Sequence, residues 1–443
     1  MKNILLKLKI AGKTVLQKLF ITLQLYSENG IANHAAACAY GFLLSMAPML
    51  LLIVFFIFLA FEDSSRAITA LIGNIPFLDI IFDEQWFTSD FFSVSKPGIS
   101  GIISVLSILW AARILALSVQ RGLKIIFPST KPRNSVMDTL VTLAVEAGVL
   151  FFVLITIVSS RIALRLYRLL DFFPKISILQ MIITQTGGKV LSIALLGLVS
   201  FFVYLFVPVN PPRKFSALRG TLFCIIAYSI TAMLLGIILD KSSYNFLYGT
   251  LGNLVVILIN VYLFFNFFFL GAQLAYVIDS FDAMLFSKLR QIISKPAKEN
   301  MSVGAERQDL MYNLFDPAES SLNKYLHHYK KREIIILQGD TGNEIYYLLK
   351  GEVEILLPSS ADAGNSAGIL KAGSFFGEMG YLLSEDRTAT VRAKTDVSVF
   401  ILPPVLFDAI LKHDKSLDRD IIQHITYRLK NANEQIITLK SEL

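Results

Sequence analysis

Glu378 and Arg387 are the two side chains whose types and spacing most readily suggest chemistry. Arg387 offers a planar fork of donors that can hold a phosphate through two parallel bonds. A short helix opening near Gly377 would aim free backbone N–H groups at the same anion. Glu378 is an acceptor suited to a sugar hydroxyl beside that phosphate. Thr388 and Ala389 are small and let a ligand approach the backbone, and Phe376 and Met379 complete the candidate set. The plain alternative is a surface ion pair between Glu378 and Arg387.

The flanking residues favour the ligand. The stretch from Gly373 to Arg392, centred on Gly377-Glu378 and Arg387-Thr388-Ala389, resembles the phosphate-binding cassette of cyclic-nucleotide-binding domains. Gln338-Gly339-Asp340 and Leu349-Lys350-Gly351 match the same family, whose glycines set tight turns. The resemblance implies a regulatory cyclic nucleotide as the ligand. It favours cAMP and leaves cGMP open, because a threonine beside the cassette arginine occurs with either base. It also implies a β-roll flanked by helices, the last of which lids the base and moves when ligand binds.

The cassette lies in the last third of a 443-residue chain that is 54% hydrophobic and only 17% charged. Soluble domains carry about 25% charged residues, and a mean hydropathy of +0.59 is that of a membrane protein. The net charge of +7 is assigned to loops beside anionic lipid rather than to nucleic acid. Cys38 and Cys224 both fall in apolar runs and read as packing residues.

Four segments follow from this pattern. Residues 1–33 form a basic amphipathic helix, on the membrane surface or packed on the bundle. Residues 34–280 form a transmembrane domain, residues 281–310 a polar linker, and residues 311–443 the nucleotide-binding domain. Six spans of about 20 apolar residues are expected near His34–Phe61, Gly98–Val119, Met137–Ser160, Val190–Val209, Ala217–Leu239 and Leu251–Ile278. Ala67–Phe82 is too short to span and reads as interfacial or re-entrant. Basic connections after the second, fourth and sixth spans, against an acidic first one, put both termini in the cytoplasm. Arg161, Arg165, Arg168 and Lys175 disagree with that map, and the three arginines read as headgroup anchors or lipid-phosphate ligands.

Three membrane stretches resemble the YihY/BrkB-like family of bacterial inner-membrane proteins, to which a ribonuclease BN label is attached. They are Ala35 to Pro48, Asn210 to Gly220, and Tyr248-Gly249 leading to Gly271-Ala272-Gln273. The resemblance implies a multi-pass inner-membrane bundle of about six spans and says little about activity. Read directly, these stretches are mainly packing motifs, small residues on a stripe that lets helices approach.

Buried polar residues are the membrane candidates for function. Arg113, Glu146, Asn253, Asn260, Asn266 and Gln273 could line a polar path, or could snorkel and tie helices together. No acidic triad or Cys/His set suits a metal, so the sequence offers no catalytic or metal site and the chain is not read as an enzyme. That argues against a membrane ribonuclease. Leu247 to Gly252 lacks the arrangement of a potassium filter, which argues against a cyclic-nucleotide-gated channel. No helix-turn-helix follows the nucleotide domain before Leu443, which argues against a DNA-binding role.

The fold expectation is therefore mainly α: a polytopic membrane bundle followed by a soluble β-roll with flanking helices. The functional expectation is a transporter-like or lipid-handling membrane protein regulated by cytosolic cyclic nucleotide. A nucleotide-responsive scaffold is the alternative. Membrane lipids are expected partners, and a homo-oligomer is left open.

Overall fold

The computed structural model describes residues 2–44, 99–129, 133–134, 136–144, 188–238, 241–294, 311–356, 366–414, 417 and a subset of 419–430. Thr22–Asp279 form one compact unit. Met1–Ile21 with Ser280–Leu443 form the other.

The first unit is helical where described. Its helices are the C-terminal part of α1 (Lys2–Glu28), α2 (Ile31–Leu44), α3 (Ile99–Ile126), α4 (136–144), α5 (Gly188–Phe206), α6 (Lys214–Ile238) and α7 (Lys241–Asp279). Among the described residues, two stretches are long and apolar enough to cross a membrane, Lys214–Ile237 and Val255–Asp279. The expected spans His34–Phe61 and Met137–Ser160 run largely into residues outside the description, as does Ala67–Phe82. Helix α6 exposes Phe215, Leu222, Ile226, Ile230, Met233 and Ile237. Water does not support so large an apolar surface on one helix, whereas lipid does.

Helices α6 and α7 cross at two glycines from the sequence motifs. A Cβ on Gly220 would stand 2.3 Å from the Gly271 carbonyl oxygen, and one on Gly271 would stand 2.6 Å from that of Gly220. Only hydrogen fits there, so the backbones touch. Beside the crossing, the fully buried Tyr204 donates to the Phe268 carbonyl at 2.5 Å. At the start of α6, Asp279 accepts from the Arg213 N–H and the Ser216 hydroxyl. A carboxylate at that helix end satisfies donors that have no partner within the helix and complements its dipole.

The second unit is built on a strand whose burial nearly alternates. β8 (Val397–Leu402) buries Val397, Val399, Phe400 and Leu402, the pattern of a half-buried strand. With β1 (Leu326–Tyr329), β3 (Ile345–Lys350) and β6 (Phe375–Phe376) it forms a sheet of order β1-β8-β3-β6. A second sheet has the order β2-β7-β4-β5, from β2 (Ile334–Ile336), β4 (Glu352–Leu356), β5 (Ser366–Lys371) and β7 (Thr390–Ala393). All pairs are antiparallel. Ile336, Leu348, Val353, Phe376, Val391 and Val399 share one apolar core. The result is a two-sheet antiparallel β-roll.

Two segments flank the roll. Residues 311–330 hold one helical turn, two 3-10 turns (Pro317–Glu319 and Ser321–Tyr325) and strand β1. The side chains of Asp316 and Ser320 cap those turns and stop them from extending. Residues 281–294, in the connection read as polar and partly helical, form α8 (Phe281–Ser294) with a deeply buried face. Its Phe286 packs edge-on against Tyr347 and Phe400 of the roll.

The N-terminal part of α1 also packs within this unit. Lys13 pairs with Glu319 at 2.9 Å, and Gln17 donates to the Leu314 carbonyl at 2.8 Å. Phe20 meets Phe315 edge-on.

Candidate functional site

The cassette is held by β3, β6 and the short helix α9 (Glu378–Leu383). Gly377 caps α9 with φ at +76°, a left-handed conformation that suits glycine. A Cβ there would also lie 2.9 Å from the Tyr346 ring and 3.0 Å from Arg387 Nη1. Glycine thus turns the chain and lets Arg387 reach the backbone.

Arg387 is 5% exposed, and both of its Nη atoms donate to the protein. Nη1 donates to the Gly377 carbonyl at 2.8 Å. Nη2 donates to the Glu344 carbonyl at 3.0 Å and to Glu344 Oε2 at 3.2 Å. The guanidinium also lies 5.5 Å from the centre of the Tyr346 ring, within cation–π range. Burial lifts the Tyr346 phenol above its ordinary pKa, and the neighbouring arginine pulls it back down. The loop before β3 braces the backbone, with Arg387 N–H donating to the Asp340 carbonyl and Gly339 N–H donating to the Arg387 carbonyl. Glu378 is buried at the start of α9.

The structure therefore brings Phe376, Gly377, Glu378 and Arg387 together as the sequence suggested. Phe376 stacks on Tyr346 with ring centres 5.1 Å apart. Thr388 is exposed, Ala389 is half-buried, and Met379 is 40% exposed. Sequence reasoning missed Glu344 and Tyr346. The available signal was the Gly339-to-Gly342 turn. A Cβ on Gly342 would come within 3.1 Å of Arg387 Nη2, so that turn must stay small.

Among the described membrane candidates, two asparagines bond within their own helix. Asn260 spends its amide on the Val256 carbonyl of its own helix. Asn266 does the same with Tyr262 and accepts from the Tyr26 hydroxyl at 2.7 Å. These are helix ties. Gln273 is fully buried, and neither its Oε1 nor its Nε2 has a hydrogen-bond partner among the described residues. Arg113 lies on α3 and lines a cavity. Glu146, the Asn253 side chain, Arg161, Arg165 and Arg168 lie outside the described residues. Among the described residues, no group of three His, Cys, Asp or Glu could hold a metal ion.

These two folds match two protein families. The model of the family Virulence factor BrkB matches residues 22–285, more than half of the chain, and the chain belongs to that family. The model of the cyclic nucleotide-binding domain matches residues 326–414. The chain is similar to the cAMP-activated global transcriptional regulator CRP of Salmonella typhimurium, at 26% identity over 25% of this chain and 54% of that protein. It is also similar to the cAMP-activated global transcriptional regulator Vfr of Pseudomonas aeruginosa, at 27% identity over 27% of this chain and 60% of that protein. The chain thus spans a little over half the length of these curated relatives. Among solved structures, the Thermus thermophilus Catabolite Activator Protein is 23% identical, with a TM-score of 0.23, covering 26% of this chain and 56% of that one.

Proposed function

We propose that this is a multi-pass inner-membrane protein whose BrkB domain is switched by a cyclic nucleotide held at Arg387. The observation that carries the reading is Arg290. This residue lies on α8, which Ser280 alone separates from the end of α7. Its guanidinium binds Asp414 and Asp420, the first residue after α10 (Pro404–His413) and a residue of the helical segment that follows. Ligand-driven motion of those closing residues would pull on the helix that continues the last apolar stretch.

In this reading a cyclic phosphate replaces Glu344 on Arg387, Glu378 accepts from the ribose hydroxyl, and Phe376, Met379, Thr388 and Ala389 shape the pocket. Two relatives named as cAMP-activated support cAMP, while Thr388 keeps cGMP in play. A bundle of about six spans, with both termini in the cytoplasm, suits a cytosolic ligand. Transport or lipid handling is the proposed work of the membrane part, with Arg113 and Gln273 as the polar residues still available to it. Calorimetry of the full chain in detergent, titrated with cAMP and with cGMP, tests the ligand. Binding of at least one is expected, and binding of neither removes the reading.

A further inference from the structure

The BrkB unit contains a cavity of about 490 Å³ between α3, α4 and the loop after α5. That is the size of small-molecule sites, roughly 300–1,000 Å³. Arg113, Arg121 and Lys124 line it from one face of α3, and Arg133 closes it from the α3–α4 connection. The spacing of 113, 121 and 124 stacks these side chains along one stripe of the helix. One lining carboxylate, Asp138, opposes the four cations.

That carboxylate lies nearest Arg133, with 4.0 Å between Arg133 Nε and Asp138 Oδ1. Arg133 is further tied to the carbonyls of Val207 and Pro208 at 3.1 and 3.4 Å. It is a wall of the cavity. Arg113, Arg121 and Lys124 have no ion-pair partner among the described residues. The Thr142 hydroxyl, on the facing helix, lies 3.0 Å from Gln120 Oε1, which leaves the Gln120 amide as a donor.

Basic residues that only orient a membrane protein need no shared concavity, since charge number in the loop suffices. Here they converge with amide and hydroxyl groups on one hollow. We propose that this cavity binds a phosphate-bearing polyanion. The shared chemistry is that of an anionic lipid headgroup or of a soluble polyphosphate. Several cations held around low-dielectric walls focus positive potential there, and arginine forks grip phosphate oxygens. The inference concerns the BrkB unit alone and stands whether or not cyclic nucleotide controls it.

The test uses the full chain in nanodiscs. In pure phosphatidylcholine discs, sodium pyrophosphate is titrated by calorimetry at constant ionic strength. In a second arm, discs contain phosphatidylglycerol, and lipid retained by the protein is measured by native mass spectrometry. Arg121 and Lys124 are exposed, so Arg121→Gln with Lys124→Gln is expected to fold with unchanged Tm. The control, Lys214→Gln with Arg219→Gln, removes the same charge from exposed positions at the start of α6. The first pair is expected to weaken pyrophosphate binding or phosphatidylglycerol retention at least about tenfold, or about 1.4 kcal/mol. The control is expected to change either by less than about twofold, about 0.4 kcal/mol. A pyrophosphate response identifies a soluble ligand and a phosphatidylglycerol response a lipid one. Binding of neither probe, or equal losses in the two double variants, overturns the proposal.

Discussion

Arg290 donates from Nη2 to Asp414 Oδ2 at 2.9 Å and from Nη1 to Asp420 Oδ2 at 2.5 Å. Asp414 also accepts from Ser287, one turn earlier on α8. Burial works against the charge on Arg290, but hydrogen bonds to the two aspartates outweigh it and hold its pKa above the ordinary value. The two partners differ in exposure: the Asp414 side chain is 2% exposed and that of Asp420 is 46% exposed. Variants of the two therefore test a buried fastening separately from the proposed link to nucleotide.

Arg290→Ala leaves Asp414 as a buried charge without its cation. Such losses cost about 3–5 kcal/mol, so thermal unfolding of the nucleotide-binding unit should shift sharply downward. Asp420→Asn removes a half-exposed contact and should cost no more than about 1 kcal/mol. It should nevertheless blunt any response of the BrkB unit to nucleotide. A full response with Asp420→Asn would assign the coupling to other contacts.

Arg387→Ala should weaken cyclic nucleotide binding at least about thirtyfold. Removing one side of a desolvated charge pair costs about 2–5 kcal/mol, and each 1.4 kcal/mol is tenfold. Calorimetry reads the affinity directly, and circular dichroism checks that the roll survives. An unchanged affinity would remove Arg387 from the site.

Glu344→Gln should act in the opposite direction. The Glu344 carboxylate occupies Arg387 Nη2, while two backbone carbonyls already orient the guanidinium. A phosphate must displace that carboxylate, an interaction worth up to about 1 kcal/mol at a half-exposed site. Affinity should rise by up to about fivefold. A loss of affinity would mean that Glu344 aims Arg387 rather than competing for it.

His413, in the last turn of α10, has its pKa lowered by burial and, secondarily, by Lys412. The folded state thus takes up a proton at lower pH than the unfolded state, whose imidazole titrates near 6.5. Below that pH the unfolded state binds more protons, so stability should fall as the pH drops from about 6.5 through the folded-state pKa. Above it the contribution is fully present. Thermal melts from pH 8 to pH 5 should show this slope in wild type and a shallower one in His413→Gln.

Local pattern made parts of the roll legible in the sequence. The apolar periodicity and flanking turns of Val397–Leu402 mark a strand where β8 forms. Gly377, Glu378 and Arg387 were legible because the cassette is nearly contiguous. The start of β5 is not legible locally, since Ser366, Ala367 and Gly368 carry little strand propensity and depend on pairing with β4. β1 was missed because His327 and His328 interrupt any apolar alternation, and its pairing partner β8 lies about 70 residues away. The Arg290–Asp414 bond spans 124 positions, and nothing local in α8 announces it. The same holds for Glu344, whose role exists only once the Gly339–Gly342 turn brings it to Arg387.

The central claim is that nucleotide bound at Arg387 alters the BrkB unit. A ligand can do so only through different affinities for two states of the whole protein, with a typical coupling of about 1–3 kcal/mol. Hydrogen exchange of the full chain in nanodiscs, with and without saturating cAMP or cGMP, measures this directly. Wild type is predicted to change its exchange in α8 and in the 241–279 helix as well as in the roll, and Arg387→Ala to change in neither. Protection confined to residues 326–430, with the BrkB unit unaltered by bound nucleotide, would contradict the account.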